Sequence, residues 1–244
     1  MNADTAAARV ENATKVYGSG DTTVTALDDV TISFERGKFT AIMGPSGSGK
    51  STLLHCVAGL DDLTGGSVFI GSVRLGDLKD KELTLLRREK VGFIFQAFNL
   101  IPTLDAAENI TLPVNIAGRD ADPAWFDTVV DTVGLRDRLT HRPSELSGGQ
   151  QQRVAAARAL VSRPEIVFAD EPSGNLDSKS SAELLGFMRR AVDEFGQTIV
   201  MVTHDAHAAA FADRVVFLAD GRQSGELADP TADQILEYLK SLGG

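Results

Sequence analysis

The chain has 244 residues, with 34 acidic and 24 basic side chains and a formal net charge of −10 at pH 7. This acidic balance argues against a nucleic-acid partner, because a broad nucleic-acid surface needs clustered Lys and Arg. Hydrophobic residues make up 43% of the chain, which is typical of a globular protein and not of a disordered one. The length accommodates one large domain that carries a subdomain.

Apolar runs stay well short of the roughly 18–20 residues that a helix needs to span a bilayer. Residues 1–9 are polar and alanine-rich, so no signal peptide is expected there. The single cysteine, Cys56, leaves no internal disulfide, which agrees with a reducing compartment. Cys56 falls in a predicted helix, where a packed core thiol is favoured over a catalytic one.

The first 95 residues show a pattern of strands with two helices. Apolar and polar residues alternate over 30–34, which predicts a half-exposed strand. Residues 8–36 are therefore predicted to form two strands around a loop. Gly59 marks the end of the first helix. The remaining predicted strands lie at 39–43, 67–70, 73–75 and 91–95, and the predicted helices lie at 51–58 and 80–90.

Helices dominate from residue 96 to residue 164, which indicates a helical insertion. Asp122 followed by Pro123 is typical of a helix cap and first turn, and Gly134 is typical of a helix end. A second helix is predicted from Gly148 to about residue 162. Strands are then predicted at 166–169, 198–202 and 215–218, with a helix ending at 196 and a last helix starting at 230. Continuous apolar strands that alternate with helices indicate a mostly parallel sheet covered on both faces.

A phosphate-binding loop with the pattern G-x-x-x-x-G-K-S lies between a predicted strand and a predicted helix. Its glycines allow successive backbone N–H groups to point at one anion. Lys50 can reach the β- and γ-phosphates of a nucleotide, and the Ser51 hydroxyl can hold Mg²⁺. A simple Gly/Ser turn is the weaker alternative, because the flanking strand and helix suit the motif. The predicted loop residues are Gly44, Pro45, Ser46, Gly47, Ser48, Gly49, Lys50 and Ser51, followed by Thr52.

Polar residues directly follow three further apolar strands. They are Gln96, the pair Asp170 and Glu171, and His204. Ligands of parallel sheets bind outside the carboxyl ends of the strands, so these side chains and the phosphate loop should converge on one edge. Asp170 and Glu171 could instead be a helix-start charge pair, and His204 a turn residue. Their joint occurrence favours a site with a metal-binding carboxylate, a second carboxylate and a histidine.

A second anion-binding motif is Leu146-Ser147-Gly148-Gly149-Gln150, because a serine and two glycines at a helix start leave N–H groups free for an anion. The run resembles the signature of ATP-binding cassette (ABC) ATPases, and the order of motifs agrees over nearly the whole chain. This resemblance implies an α/β fold. Its parts are a P-loop NTPase core with a mostly parallel sheet, an antiparallel β subdomain and an inserted α-helical signature subdomain. It implies one domain over 1–244, with core and β subdomain at 1–95 and 165–244 and the helical subdomain at 96–164.

The resemblance also implies roles for single residues. Tyr17 matches the aromatic that stacks on adenine, although a strand-end aromatic is the ordinary interpretation. Ser51, Gln96 and Asp170 match Mg²⁺ ligands. The matches to catalytic residues are Glu171, His204 and Lys50. The matches to ATP-binding residues are Tyr17, Gly44 to Thr52, Gln96, the signature residues Ser147, Gly148, Gly149 and Gln150 of a second subunit, and Asp177 in the loop 173–177.

The segments 16–30, 95–102 and 171–177 resemble the macrolide-exporter, lipoprotein-release and cell-division group of cassettes. This implies an ATP-hydrolysing subunit that dimerises on ATP and powers a separate, export-type membrane permease. A homodimer is favoured over a heterodimer, and the location implied is the cytoplasmic face of the membrane. The alternative is a signalling cassette that controls a membrane partner without transporting cargo.

Four large apolar residues follow Gln96, and the resemblance implies that the permease contacts this segment with a short helix. Packing of the helical insertion onto the core explains any one of them equally well. They are Phe98, Leu100, Ile101 and Leu104.

Overall fold

The computed structural model describes residues 5–242. Residues 1–4 and 243–244 lie outside this range. Two predictions fall partly on them: the domain over 1–244 and the absence of a signal peptide in residues 1–9. Between residues 5 and 242 no helix is both long and apolar enough to cross a membrane. The strands are β1 (Ala6–Tyr17), β2 (Val24–Glu35), β3 (Phe39–Met43), β4 (Gly65–Ile70), β5 (Val73–Arg74), β6 (Val91–Phe95), β7 (Ile166–Asp170), β8 (Ile199–Val202), β9 (Arg214–Ala219) and β10 (Arg222–Ala228). The helices are α1 (Lys50–Val57), α2 (Asp80–Lys90), α3 (Ala106–Ile116), α4 (Pro123–Val133), α5 (Gly148–Leu160), α6 (Ser178–Phe195), α7 (Ala206–Ala209) and α8 (Ala232–Leu242).

The larger sheet has six strands in the order β10-β9-β3-β8-β7-β6. Neighbouring strands from β9 to β6 are parallel, and only β10 is antiparallel to its neighbour. Consecutive residues of β3 point into two different cores, Ala41 and Met43 into one and Ile42 into the other. The sheet is therefore covered on both faces, which explains its uninterrupted apolar strands and confirms the prediction.

The smaller sheet is antiparallel and has the order β2-β1-β4-β5. Its buried residues alternate with exposed ones, as in Val30, Ile32 and Phe34 of β2. These three side chains join the core that also holds Leu53 and Leu54 of α1. The antiparallel sheet thus packs on the helix that follows the phosphate loop, and the predicted β subdomain is confirmed.

Residues 96–164 are all described, and they contain α3, α4 and α5 and no strand. Asp105 caps α3 and accepts a hydrogen bond from the N–H of Glu108 (2.8 Å). Asp122 caps α4 with Pro123 in the first turn, and Gly134 ends α4 in the left-handed region at φ 64°. The start and end of α4 agree with the sequence signals for the helical insertion, whereas the Asp105 cap was not predicted.

Several element boundaries differ from the sequence predictions. β5 ends at Arg74 because residues 75–77 form a 3₁₀ turn. α5 ends at Leu160. α8 begins after Thr231, whose hydroxyl accepts a hydrogen bond from the N–H of Gln234 (3.3 Å), so a threonine and not Pro230 caps it. α3, α7 and β10 were not predicted, since β10 in particular is polar and contains Gly225.

Candidate nucleotide-binding and catalytic site

The phosphate loop is held against the core by two glycines. A Cβ atom on Gly44 would lie 2.0 Å from the carbonyl oxygen of Leu218, and one on Gly49 would lie 2.3 Å from that of Ala26. Both glycines also have positive φ, 148° and 96°. Gly47 at φ 79° differs, because nothing lies within 4 Å of its Cβ position. The loop is therefore closed on its core side and open at Gly47.

Polar groups of the loop suit a phosphate. The Ser48 hydroxyl is buried and has no hydrogen-bond partner in the described part of the chain, which is costly unless a ligand pairs with it. Lys50 Nζ donates to the carbonyl oxygens of Gly44 (3.0 Å) and Pro45 (2.7 Å). Burial lowers the pKa of Lys50, and the nearby charges of Glu171 and Asp170 oppose this shift. Lys50 therefore lies across the loop, within electrostatic reach of both carboxylates.

A hydroxyl and a carboxylate meet beside the loop. Ser51 Oγ donates to Asp170 Oδ1 (3.2 Å), and His55 Nε2 lies 3.6 Å from Asp170 Oδ2. Among residues 5–242 no group of three or more His, Cys, Asp or Glu side chains forms a metal site. At nucleotide sites the protein supplies Mg²⁺ with only one or two carboxylate ligands, and substrate phosphates and water supply the rest. The pair Ser51 and Asp170 fits that donor set.

Glu171 and His204 are in contact at the ends of β7 and β8. His204 Nδ1 lies 2.7 Å from Glu171 Oε2. Glu171 has φ 48°, and its N–H donates to the carbonyl oxygen of Val202 (2.9 Å). Non-glycine residues with such φ values are uncommon and cluster at functional sites. The backbone of Glu171 is therefore strained at the edge where the parallel strands end.

Gln96 lies at the same edge but bonds to a different partner. Its Nε2 donates to Asn175 Oδ1 (3.2 Å), and Asn175 Nδ2 donates back to the Gln96 carbonyl oxygen (3.1 Å). A Cβ on Gly174 would lie 2.9 Å from Gln96 Nε2. Asn175 therefore holds Gln96, and Gly174 leaves room for its amide. In this structure Gln96 has no hydrogen bond to Ser51 or Asp170.

The signature residues form the start of α5. The Ser147 hydroxyl accepts from the N–H of Gln150 (3.3 Å), and Gln150 Oε1 accepts from the N–H of Ser147 (2.8 Å). Asp177 caps the neighbouring helix α6, and hydrogen bonds from Ser180 lower the pKa of this carboxyl. Within the described residues no hydrogen bond joins 147–150 to the phosphate loop of the same chain.

Tyr17 is held at the end of β1 by residues that the sequence analysis missed. Its hydroxyl donates to Asp61 Oδ2 (2.6 Å), while Lys15 Nζ donates to Asp61 Oδ1 (2.6 Å) and lies 4.7 Å from the Tyr17 ring centroid. Burial and the bond to Asp61 raise the pKa of Tyr17, and the Thr52 hydroxyl of α1 opposes them. The ring is thus fixed near the helix that follows the phosphate loop. Sequence offers no signal for Asp61, which lies 44 residues away.

The four apolar residues after Gln96 differ in how far they are exposed. Leu100 packs against the core, Phe98 and Leu104 are half-buried, and only Ile101 is exposed. An apolar groove of about 530 Å³ lies nearby between β6, α2, α3 and α5. Its large apolar lining residues are Phe93, Phe95, Leu112, Pro113 and Ile116, with Arg87, Arg88 and Arg158 beside them.

The covered parallel sheet, the phosphate loop and the two carboxylates at the end of β7 define a P-loop nucleotide-hydrolysing protein. A match to the family described as ABC transporter spans residues 27–174, more than half of the chain. The chain belongs to the ABC transporter family, as an ATP-binding cassette with ATPase activity that serves as an ATP-driven transporter subunit.

Curated relatives support this assignment. The uncharacterized ABC transporter ATP-binding protein MJ0796 of Methanocaldococcus jannaschii is 43% identical over 225 residues, covering 89% of this chain and 95% of that protein. YvcR of Bacillus subtilis, named in the same way, is 44% identical over 243 residues, covering 96% and 93%. The macrolide export ATP-binding/permease protein MacB of Bdellovibrio bacteriovorus is 45% identical over 207 residues, covering 85% of this chain but only 32% of that longer protein.

Solved structures agree. A dimeric structure of a post-hydrolysis state of the cassette MJ0796, bound to ADP and Pi, superposes with a TM-score of 0.82 and 41% identity. It covers 91% of this chain and 99% of that one. A second dimeric structure of MJ0796 gives the same TM-score at 42% identity. The predicted family, fold class and ATPase activity are therefore confirmed.

Proposed function

We propose that this chain binds Mg²⁺ and ATP at its strand-end edge and hydrolyses the ATP to power a separate, export-type membrane permease. The observation that carries this proposal is the grouping at one sheet edge. The phosphate loop, the Ser51–Asp170 hydrogen bond and the Glu171–His204 contact all lie there. Together they supply a phosphate cradle, a metal site, a base and a histidine.

The phosphate loop and α1 bind the phosphates of ATP. Backbone N–H groups of 44–51 and the N-terminus of α1 attract the anion. Lys50 exchanges its bonds to the Gly44 and Pro45 carbonyls for the β- and γ-phosphate oxygens. Ser51, Asp170 and Gln96 would hold Mg²⁺, which when bound neutralises charge that develops on these oxygens. Gln96 must leave Asn175 to do so.

Glu171 is the proposed catalytic carboxylate. It accepts a hydrogen bond from the attacking water and orients it, and its position directly after β7 places it at the strand-end edge beside His204. His204, 2.7 Å away, holds Glu171 and the γ-phosphate in register. Tyr17 stacks on the adenine, with its ring fixed by Asp61 and Lys15.

Dimerisation completes each site. The signature residues 147–150 start a helix at a distance from their own phosphate loop, and a helix N-terminus with free N–H groups attracts anions. We assign them to the γ-phosphate held by a second copy, and Asp177 to contacts across the dimer. The solved MJ0796 cassettes are dimers, which supports this arrangement. The helical subdomain in this proposal is residues 96–164, and 1–95 with 165–244 form the core and β subdomain.

The proposed permease contact is the apolar groove that contains Phe93, Phe95 and Ile116. Ile116 is 61% exposed and lines the groove together with Phe93 and Phe95, so the apolar surface is contiguous, as it is at protein–protein contact sites. MacB relatives are named ATP-binding/permease proteins, and this chain spans about a third of that MacB length. MJ0796 and YvcR are named ABC transporter ATP-binding proteins and are covered to 95% and 93% of their length, which supports a permease on another chain. The peripheral position at the cytoplasmic face is part of the proposal.

Glu171→Gln tests the catalytic assignment. The amide keeps the shape of the carboxylate but is a far weaker base, so ATP binding should persist while turnover falls by about 100-fold or more. ATP should then trap a dimer that elutes earlier in size-exclusion chromatography. Glu226→Gln is the matched control, since Glu226 pairs with Arg214 on the surface of β10. Hydrolysis at the parent rate by Glu171→Gln would contradict the proposal.

Ile116→Asp tests the groove. The residue is exposed in the isolated subunit, so the variant should fold and keep its basal ATPase activity. An unpaired carboxylate buried under a partner costs about 2 kcal/mol or more, so membrane proteins captured from detergent extracts should be lost. Leu236→Asp, on the exposed side of α8, is the control. Capture of the same integral membrane proteins by Ile116→Asp and the parent places the contact elsewhere.

A further inference from the structure

A buried glutamine of α5 connects the two segments that carry Gln96 and Glu171. Gln152 is fully buried. Its Nε2 donates to the carbonyl oxygen of Phe95 (3.0 Å) and to that of Pro172 (2.5 Å). Phe95 directly precedes Gln96, and Pro172 directly follows Glu171. One amide group therefore holds the backbone beside both the proposed Mg²⁺ ligand Gln96 and the proposed catalytic carboxylate Glu171.

The orientation of this amide follows from its partners. Both partners are carbonyl oxygens, which only accept hydrogen bonds, so the NH₂ end must face them. The Oε1 atom is then buried and has no hydrogen-bond partner among residues 5–242. A buried unpaired acceptor destabilises the fold, and an apolar side chain of the same size would avoid this penalty. The residue is thus poorly suited to a purely structural role.

The same helix holds the segment after Gln96 at a second point. Arg158 donates to the carbonyl oxygens of Asn99 (2.6 Å) and Phe98 (3.0 Å). Residues 95–99 are therefore attached at both ends to the body of α5. Pro172 belongs to the strand-end turn of β7, so the bond from Gln152 to Pro172 is the one that ties α5 to the catalytic carboxylate.

We infer that Gln152 is a positioning residue for ATP hydrolysis, which sets the distance between Gln96 and Glu171 through the backbone on either side of them. The inference rests on the proposed roles of those two residues. Gln152 does not touch ATP in this scheme. Its loss should therefore spare nucleotide binding on the phosphate loop and slow the chemical step, because misplacement of reacting groups by about 1 Å can cost 100-fold in rate.

The test is Gln152→Met, which keeps the volume and removes both donors. Gln197→Met is the matched control. Gln197 is also buried, and its Nε2 donates to the carbonyls of Pro164 and Thr198 (3.2 Å each), at the sheet edge opposite the site. Both variants lose two buried hydrogen bonds. We expect kcat to fall between about tenfold and 100-fold for Gln152→Met only, with the KM for ATP and the Kd for a fluorescent ATP analogue within about twofold of the parent.

Gln152→Asn supplies a second variant if Gln152→Met does not fold. This variant keeps the amide but shortens the side chain by one methylene, so the amide can reach at most one of the two carbonyls. Its kcat should lie between that of the parent and that of Gln152→Met. Parent-like kcat in either folded Gln152 variant, or an equal kcat loss in Gln197→Met, overturns the inference. Glu171→Gln in the same assay separates the two failures, because its hydrolysis at the parent rate would contradict the proposed function itself.

Discussion

Gly148 and Gly149 are neighbours at the start of α5, and the structure predicts different effects when each is replaced by alanine. A Cβ on Gly149 would lie 2.5 Å from Ser180 Oγ and 2.8 Å from Ser180 Cβ. A Cβ on Gly148 would lie 3.7 Å from the Phe98 ring, an ordinary contact. Rotation of Ser180 would break the hydrogen bond from its Oγ to Asp177 Oδ2 (2.8 Å) and would not relieve the contact with its Cβ, which is fixed to the α6 backbone.

Two opposing effects set the change in the free energy of unfolding that Gly149→Ala causes. Overpacking costs about 1–3 kcal/mol, and a glycine-to-alanine change in a helix returns at most about 1 kcal/mol. Gly149→Ala should therefore lower the free energy of unfolding by about 1–2 kcal/mol, and Gly148→Ala should leave it unchanged or raise it slightly. For a chain of this size that loss lowers Tm by about 2–8 °C.

Urea unfolding of the nucleotide-free protein, followed by circular dichroism, measures this difference without contributions from dimerisation. Ser180→Gly removes the clashing Cβ, so Gly149→Ala combined with Ser180→Gly should be more stable than the sum of the single changes by about 1 kcal/mol. Equal stability of Gly149→Ala and Gly148→Ala, or strict additivity in the double variant, would refute the packing argument.

Three further predictions concern separate parts of the chain. Burial raises the pKa of Cys56 to about 12, so a thiol reagent at pH 8 should label it only after unfolding, and labelling of the native protein would contradict this. Burial raises the pKa of Glu165, but hydrogen bonds from Lys90 and Arg36 outweigh it and leave the pKa below the ordinary 4.5. Glu165→Gln should therefore cost about 1 kcal/mol of unfolding free energy at pH 7, and this difference should shrink as the pH falls below 4.5 in urea titrations. Tyr17→Phe should keep the KM for ATP, and Tyr17→Ala should raise it about tenfold. The same KM for Tyr17→Ala as for the parent would exclude ring stacking.

Much of the fold follows from local sequence signals. β6 and α2 have the predicted bounds, because a short apolar run and a charged helix with acidic residues in its first turn are strong local patterns. β10 escaped prediction because its alternating residues are mostly polar and its pairing with β9 is set by the turn at 220–221. Whether such a segment forms a strand depends on its tertiary contacts, and its hydrophobic pattern does not indicate one.

The candidate site likewise contains residues that the sequence could place and one that it could not. Gln96, Asp170 and His204 could be placed at one edge from sequence, because each follows an apolar strand and the strands are parallel. Gln152 could not be singled out, because it is the last of three consecutive glutamines that look like one solvated turn. Helix geometry puts only one of three adjacent residues on the buried face, and the packing partners that choose it come from distant parts of the chain.

The order of strands, which sequence does not give, decides which side chains meet. In the sheet order β3-β8-β7-β6, β7 lies two strands from the strand that leads into the phosphate loop. Strands are about 4.8 Å apart, so the end of β7 is nearly 10 Å from the end of β3. Ser51 nevertheless bonds Asp170, because α1 packs across β8 and onto β7. Gln96 lies one strand further, out of reach of Ser51. The packing of α1 across β8 and onto β7 therefore brings together the two side chains of the proposed metal site, Ser51 and Asp170. For Gln96 to join that proposed site, the segment that α5 holds would have to move.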